Sequence, residues 1–308
     1  MEQHYRTDLA LENCEQLQDD DALAGVDVRV EEDEENEITV TWVEITNEEG
    51  AASMGKPVGN YITLECAAMQ ASEPEVHEAI SRALASKLAQ LHPLKDDATI
   101  LVVGLGNWQV TPDALGPQVC EKMLVTRHLG EVIPEELHGR VRAVSALRPG
   151  VMGITGIETA EILLGVAQRI KPDVIIAVDA LAARRTSRIN TTIQISDTGI
   201  NPGAGLGNKR TPINRASMGV HCIGIGVPTV VDAATLVSDA MRNVLDDLNE
   251  HERDTLIREN IAPELEGLFV TPKTIDAVIA RLATIIANAL NQALHPGVTA
   301  ADVHRYLS

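Results

Sequence analysis

Two aspartates stand where short apolar runs end. Ile100-Leu101-Val102-Val103 leads through Gly104-Leu105-Gly106 and a turn-rich stretch with Pro112 to Asp113, and Val174-Ile175-Ile176-Ala177-Val178 runs straight into Asp179. Short, wholly apolar runs bounded by Gly or Pro read as buried parallel strands. In an open α/β sheet, ligands and chemistry sit beyond the carboxyl ends of such strands. Two carboxylates facing each other there split their titration, so that one stays ionised as a general base and the other protonated as a general acid. Either aspartate alone reads more simply as a helix cap or turn former. Their pairing, beside a long Gly/Pro/Asn-rich segment over 197–219, favours chemistry, because so long a loop in a compact domain is usually functional.

Competing motifs fail on spacing. Gly104-Leu105-Gly106 lacks the third glycine of a dinucleotide fingerprint, where Gln109 stands. Gly203 to Arg210 has the composition of a phosphate-binding loop, but Asn208 occupies its last glycine position. Nothing matches Gly-x-Ser-x-Gly, and Cys120 falls between apolar residues despite Lys122 nearby. The nine histidines form no HExxH pair, and none adjoins either aspartate. A third metal ligand would have to come from afar, from His77, His128 or His221. The four cysteines are too scattered for a metal site, so neither a metal nor a cofactor is expected. Arg184, Arg185 and Arg188 cluster in an otherwise acidic chain. They read equally as a set of salt bridges and as a guanidinium site for a substrate carboxylate.

The elements that must carry these residues follow from pattern. From Ile100 onward strands and helices alternate, as in a sheet with helices on its faces. Strands are expected near 100–103, 141–146, 174–178, 189–195 and 221–226, and helices near 114–129, 157–170, 228–247, 273–292 and 299–307. Upstream, residues 1–25 look irregular. The block Glu31-Glu32-Asp33-Glu34-Glu35-Asn36-Glu37 reads as a solvated hairpin arm before an alternating strand, Ile38–Ile45. A further strand over 60–66 and a helix over 73–91 complete the set.

Composition narrows the classes. The chain has 308 residues, a formal net charge of −20, 44% hydrophobic and 2% aromatic residues. Such a charge repels a phosphate backbone, so direct nucleic-acid binding is not expected. With no apolar leader and no run judged long enough to span a bilayer, no membrane association and a cytoplasmic location are expected.

Longer motifs carry a resemblance. Gly104 to Pro117, Leu124 to His128, Arg148 to Thr159, Ala177 to Arg184, Asn190 to Gly199 and Gly205 to Arg210 together resemble the germination proteases of endospore-forming bacteria. The resemblance runs from Arg6 to the C-terminus. It implies an endopeptidase that degrades small acid-soluble spore proteins in the forespore or spore core, made as a zymogen and assembled as a homotetramer. The implied fold is hydrogenase-maturation-protease-like: a three-layer α/β sandwich around a twisted, mostly parallel sheet, with an N-terminal strand/hairpin extension. The implied catalytic pair matches Asp113 and Asp179, in an unusual aspartic-type peptidase. Arg6-Thr7-Asp8-Leu9-Ala10-Leu11-Glu12 resembles the substrate pattern of an acidic residue, a bulky apolar one and Ala, with a later Glu. That implies self-processing between Asp8 and Leu9. The implied organisation is a propeptide, 1–8, and one peptidase domain, 9–308, with an α/β core over 95–250 and an acidic arm over 26–70. Arg184, Arg185 or Arg188 would receive the acidic residue before the scissile bond, and the Gly104–Trp108 or Gly203–Asn208 loop would offer oxyanion donors. Two alternatives remain: a metal-dependent peptidase of the hydrogenase-maturation type, and a non-catalytic acidic partner of basic DNA-coating proteins.

Overall fold

The computed structural model describes residues 7–17, 24–132, 140–203, 210–241 and 267–298. In chain order its strands are β1 (Val26–Asp33), β2 (Ile38–Ile45), β3 (Gly59–Glu65), β4 (Thr99–Gly104), β5 (Ala143–Leu147), β6 (Val174–Ala183), β7 (Thr192–Ser196), β8 (His221–Asp232) and β9 (Phe269–Val270). Its helices are α1 (Ala10–Leu17), α2 (Glu48–Met54), α3 (Pro74–Leu91), α4 (Leu115–Glu121), α5 (Met152–Thr155), α6 (Thr159–Ile170), α7 (Arg215–Met218), α8 (Ala233–Met241) and α9 (Ile275–Leu294).

All nine strands join one sheet in the order β1-β2-β3-β7-β8-β6-β4-β5, with β9 on β8. The two apolar runs lie side by side at its centre, β4 parallel to β6 with Gly104 opposite Val178. Alternation along them sorts two cores. Ile100, Val102, Ile176 and Val178 pack with α3, α4 and α9, while Leu101, Val103, Ile175 and Ala177 pack with α6. Helices therefore cover both faces.

Several expectations are corrected. The sheet is mixed rather than mostly parallel: only β4·β5, β4·β6 and β6·β8 are parallel. The other five pairings are antiparallel, because β1, β2 and β3 are successive neighbours and β7 lies between β3 and β8 running against both. The acidic hairpin is one edge of this sheet rather than an appendage to it. β1 is exposed along almost its whole length, and its charges discourage pairing with another sheet edge. Glu31 is tied to Lys87 of α3 at 2.6 Å. The stretch read as irregular holds α1. The helix expected over 114–129 stops at Glu121 and gives way to a separate turn at Arg127–Val132. The helix expected from 228 starts at Ala233, because β8 runs on through Pro228. That proline sits where the β6–β8 register shifts, after Leu181, an irregular position where a missing N–H is tolerated.

Helix α9 is long and apolar enough to cross a bilayer by length and composition, contrary to the sequence reading. Here it is a core helix: Ile279, Leu282, Ile285, Ile286 and Leu290 are wholly buried. Arg142, itself buried, donates to the carbonyls of Ala293 and Leu294 at its C-terminal end, which no helical partner can satisfy. The expected helix over 299–307, the end of the one over 228–247, and most of Gly203–Asn208 lie outside the described residues.

Candidate active site

Asp113 lies on the short turn Thr111–Asp113, beyond the end of β4. Gly106 makes that turn possible: its φ is +106°, and a Cβ there would come within 2.0 Å of the Asp113 carbonyl oxygen. The Asn107 N–H donates to Asp113 Oδ2 at 2.7 Å, and Thr229 of β8 anchors the turn by donating to the Pro112 carbonyl at 2.8 Å. Asp179 sits within β6, which continues past its last pairing with β4. It is 5% exposed, and Oδ1 accepts the Ala180 N–H at 2.9 Å.

The charge of Asp113 is felt at Asp179. Burial pushes Asp179 well above the usual carboxylate range; Asp113 and then Asp8 add to this, while the Ala180 N–H and Arg210 oppose it. Burial also raises Asp113, against the Asn107 N–H and Arg210. The structure thus brings the two sequence-predicted aspartates together at the strand ends and adds a cation, Arg210, to which the sequence had assigned no role in the site.

Register across the sheet extends the site. Asp179 is opposite Gly226 of β8, and Gly226 is opposite Gln194 of β7. Residues in one such row share a face, so Asp179 and Gln194 flank a position without a side chain. Beside it lies a cavity of about 220 Å³ lined by Asp8, Lys56, Leu181, Gln194, Gly224 and Gly226 among others. The chain's own N-terminal segment borders this cavity. The Asp8 N–H donates to the Ala182 carbonyl at 3.2 Å, and Asp8 Oδ2 accepts the Ala182 N–H at 3.0 Å. The Asp8 carbonyl accepts from Lys56 Nζ at 2.8 Å and Gln194 Nε2 at 3.1 Å. Gln194 Oε1 in turn accepts the Ala10 N–H at 2.7 Å. Leu9 is fully buried with Leu181, Ala183, Ile189 and Val231, and Ala10 is fully buried among Val43, Ile45, Met54 and Tyr61.

The arginine cluster meets the same segment. Glu12, 1% exposed, accepts the backbone N–H groups of Arg184 at 2.8 Å and Arg185 at 3.0 Å. Arg188 pairs with Glu15 at 2.6 Å, Glu65 at 2.8 Å and Glu12 at 3.5 Å, and Arg185 pairs with Glu15 at 3.4 Å. The salt-bridge reading therefore describes Arg185 and Arg188 as they stand. The carboxylates they meet include those of Glu12, Glu15 and Glu65.

The remaining candidates lie apart. His77 contacts the Ala71 carbonyl, and the His221 ring stacks on His92 with centroids 4.1 Å apart. Among the described residues, no group of three or more His, Cys, Asp or Glu side chains is arranged to hold a metal ion. All four cysteines are buried and outside any disulfide. Burial pushes the Cys120 thiol up to about 11, the opposite of what a nucleophile needs. Lys56 and Gln194 escaped the sequence reading because their roles depend on register and on contacts between distant segments.

Comparison with known proteins bears on what this site is. The sequence profile of the germination protease family matches residues 6–248 and 243–307. A germination protease of Caldanaerobacter subterraneus subsp. tengcongensis is 47% identical over 319 residues, covering 98% of each chain. Those of Clostridium tetani and Bacillus pumilus are 45% and 42% identical, covering 98% of this chain and 99% and 96% of theirs.

Proposed function

The chain belongs to the germination protease family, and from that premise we propose that Asp113 and Asp179 hydrolyse peptide bonds of small acid-soluble spore proteins when germination begins. It is a spore germination endopeptidase, and we infer its substrate, the two-aspartate mechanism and the zymogen. The observation that carries it is a buried carboxylate, Asp179, raised by burial and by the charge of the partly buried Asp113, with an acidic–apolar–Ala segment docked beside it.

Asp179, raised further, holds the proton, and Asp113, supported by the Asn107 N–H, is the ionised base. Asp113 takes a proton from water as the water oxygen bonds to the scissile carbonyl carbon. The tetrahedral intermediate collapses, its C–N bond breaks, and the leaving nitrogen takes the proton of Asp179. The products are a carboxyl group and an amine. The charge of Arg210 limits how far both carboxylates are raised.

In the same reading residues 1–8 are a propeptide removed by self-cleavage at Asp8–Leu9. The docked segment is then a template for substrate: Asp8 on Ala182, Leu9 in an apolar pocket, Ala10 where a larger side chain would not fit, and Glu12 on the Arg184 and Arg185 N–H groups. Arg184, Arg185 and Arg188 serve substrate by building the place where the later acidic residue binds. The family premise also carries a homotetramer acting in the spore core.

Digestion of a purified small acid-soluble spore protein, with N-terminal sequencing of the fragments, tests this reading. Cuts are expected between an acidic residue and a bulky apolar one followed by Ala. Stoichiometric binding of that protein without any cut would contradict it and favour a non-catalytic partner.

A further inference from the structure

The Asp8 carbonyl receives two hydrogen bonds from side chains that come from separate segments of the chain. Lys56 follows α2, whose end is turned by Gly55 in the left-handed conformation, and its ammonium reaches Asp8 O at 2.8 Å. Gln194 comes from β7, in the row that also holds Asp179. Its amide spans the peptide after Asp8, giving Nε2–H to the Asp8 carbonyl and taking the Ala10 N–H on Oε1. Gly226 lies between Gln194 and Asp179, and a Cβ there would press within 2.3 Å of the Leu181 side chain. The Asp8–Leu9 peptide is thus approached by Lys56 and Gln194 through its carbonyl oxygen, while the Asp8 carboxylate lies near enough to Asp179 to raise it.

We propose that Lys56 and Gln194 are the oxyanion donors of this peptidase, holding the scissile carbonyl oxygen while water adds to its carbon. The proposal rests on the reading of Asp8–Leu9 as a bond the chain cuts. As the water oxygen bonds to the carbonyl carbon, the C=O π pair moves onto oxygen, and a negative charge grows between one cationic and one neutral donor. It returns to the carbonyl when the C–N bond breaks. Donors fixed before the reaction act most strongly where water is excluded. Burial pushes the Lys56 ammonium below its ordinary value while the Asp8 and Glu12 carboxylates resist that, so a nearby negative charge favours its protonated form. This assignment replaces the two backbone loops as oxyanion donors. The Asn107 N–H of the first loop already serves Asp113.

The test uses the full chain. Lys56→Met removes the cationic donor. Gln194→Glu keeps an acceptor for the Ala10 N–H but loses the donor to the carbonyl. Each is expected to slow self-cleavage at Asp8–Leu9, and to lower kcat on a small acid-soluble spore protein by about 10²–10³-fold with KM changed less than about threefold. Lys56→Arg should restore part of the loss. A role only in docking would instead raise KM and leave kcat intact, and that result, or wild-type rates in both variants, would overturn the assignment. Should Lys56→Met fail to fold, Gln194→Glu decides alone. A wild-type chain that cuts neither itself nor the spore protein overturns the proposed function itself, which no variant-specific change could do.

Discussion

Asp179→Asn is expected to abolish most activity and to stabilise the protein at neutral pH in the same stroke. Loss of a positioned acid lowers kcat by about 10²–10⁴-fold. The stability effect follows from burial. The folded state raises the Asp179 pKa well above its ordinary 3.8, so the folded protein binds the proton more tightly than the unfolded chain does. Stability from this group is fully present below pH 3.8 and declines as pH rises toward the folded value, by about 1.4 kcal/mol for each pH unit in that window. Above the window the full cost remains. Asn has the same shape and no charge to bury, so the variant's melting temperature should exceed the wild type's at pH 7 and converge with it below pH 4. Asp113→Asn should lose activity equally but gain less stability, because the Asn107 N–H favours the ionised form it removes. Calorimetry from pH 3 to 8 checks this. A variant less stable than wild type at neutral pH would show that Asp179 is held for packing rather than for chemistry.

Arg188→Ala should have the largest effect on stability. Arg188 is 7% exposed and its guanidinium meets three carboxylates, one of them Glu12 at 1% exposure. Removing one partner of a buried pair leaves the others uncompensated and costs about 3–5 kcal/mol. Arg188→Lys should recover only part, since a point charge cannot match the forked contacts to Glu15 and Glu65. The double variant with Glu12→Gln should cost less than the sum of the two. The pH dependence is opposite to that of Asp179. Burial pushes Glu15 up, but hydrogen bonds and charge from Arg188 and its neighbours reverse this and hold it below its ordinary 4.5. Its stabilisation is complete above that value and is lost as pH falls through the lowered one. Urea unfolding at pH 7 distinguishes the two sequence readings of the cluster. A variant with unchanged stability and a raised KM would make Arg188 a substrate ligand and not a support.

The two candidate aspartates were easier to pick out in the sequence than the frame around them. Asp113 and Asp179 stood out because β4 and β6 are buried on both faces and therefore read as unbroken apolar runs, each with a polar residue past its end. The sheet's other half was harder. Thr192–Ser196 looks like any strand, and nothing local says that it runs against both β3 and β8. Gln194's place beside Asp179 follows from that register alone. Lys56 reaches the site from a helix that acidic, Ala-rich Glu48–Met54 barely announces. Pro228 was read as a helix start, because a bulge that accepts proline inside a strand depends on the neighbouring strand. The arginines were recognised as a cluster, but their partners in α1 lie 170 or more residues away in sequence, beyond the reach of any pattern.

In the proposed mechanism two aspartates, without a metal, activate the water. Its most direct test is the pH profile of kcat/KM for cleavage of a small acid-soluble spore protein by metal-stripped enzyme in excess chelator, beside Asp113→Asn and Asp179→Asn. A bell-shaped profile is expected for the wild type, its upper limb lying above the ordinary carboxylate range and set by Asp179, with both variants inactive at every pH. Activity that vanishes with chelation and returns with one added divalent metal would make the aspartates ligands and contradict the mechanism.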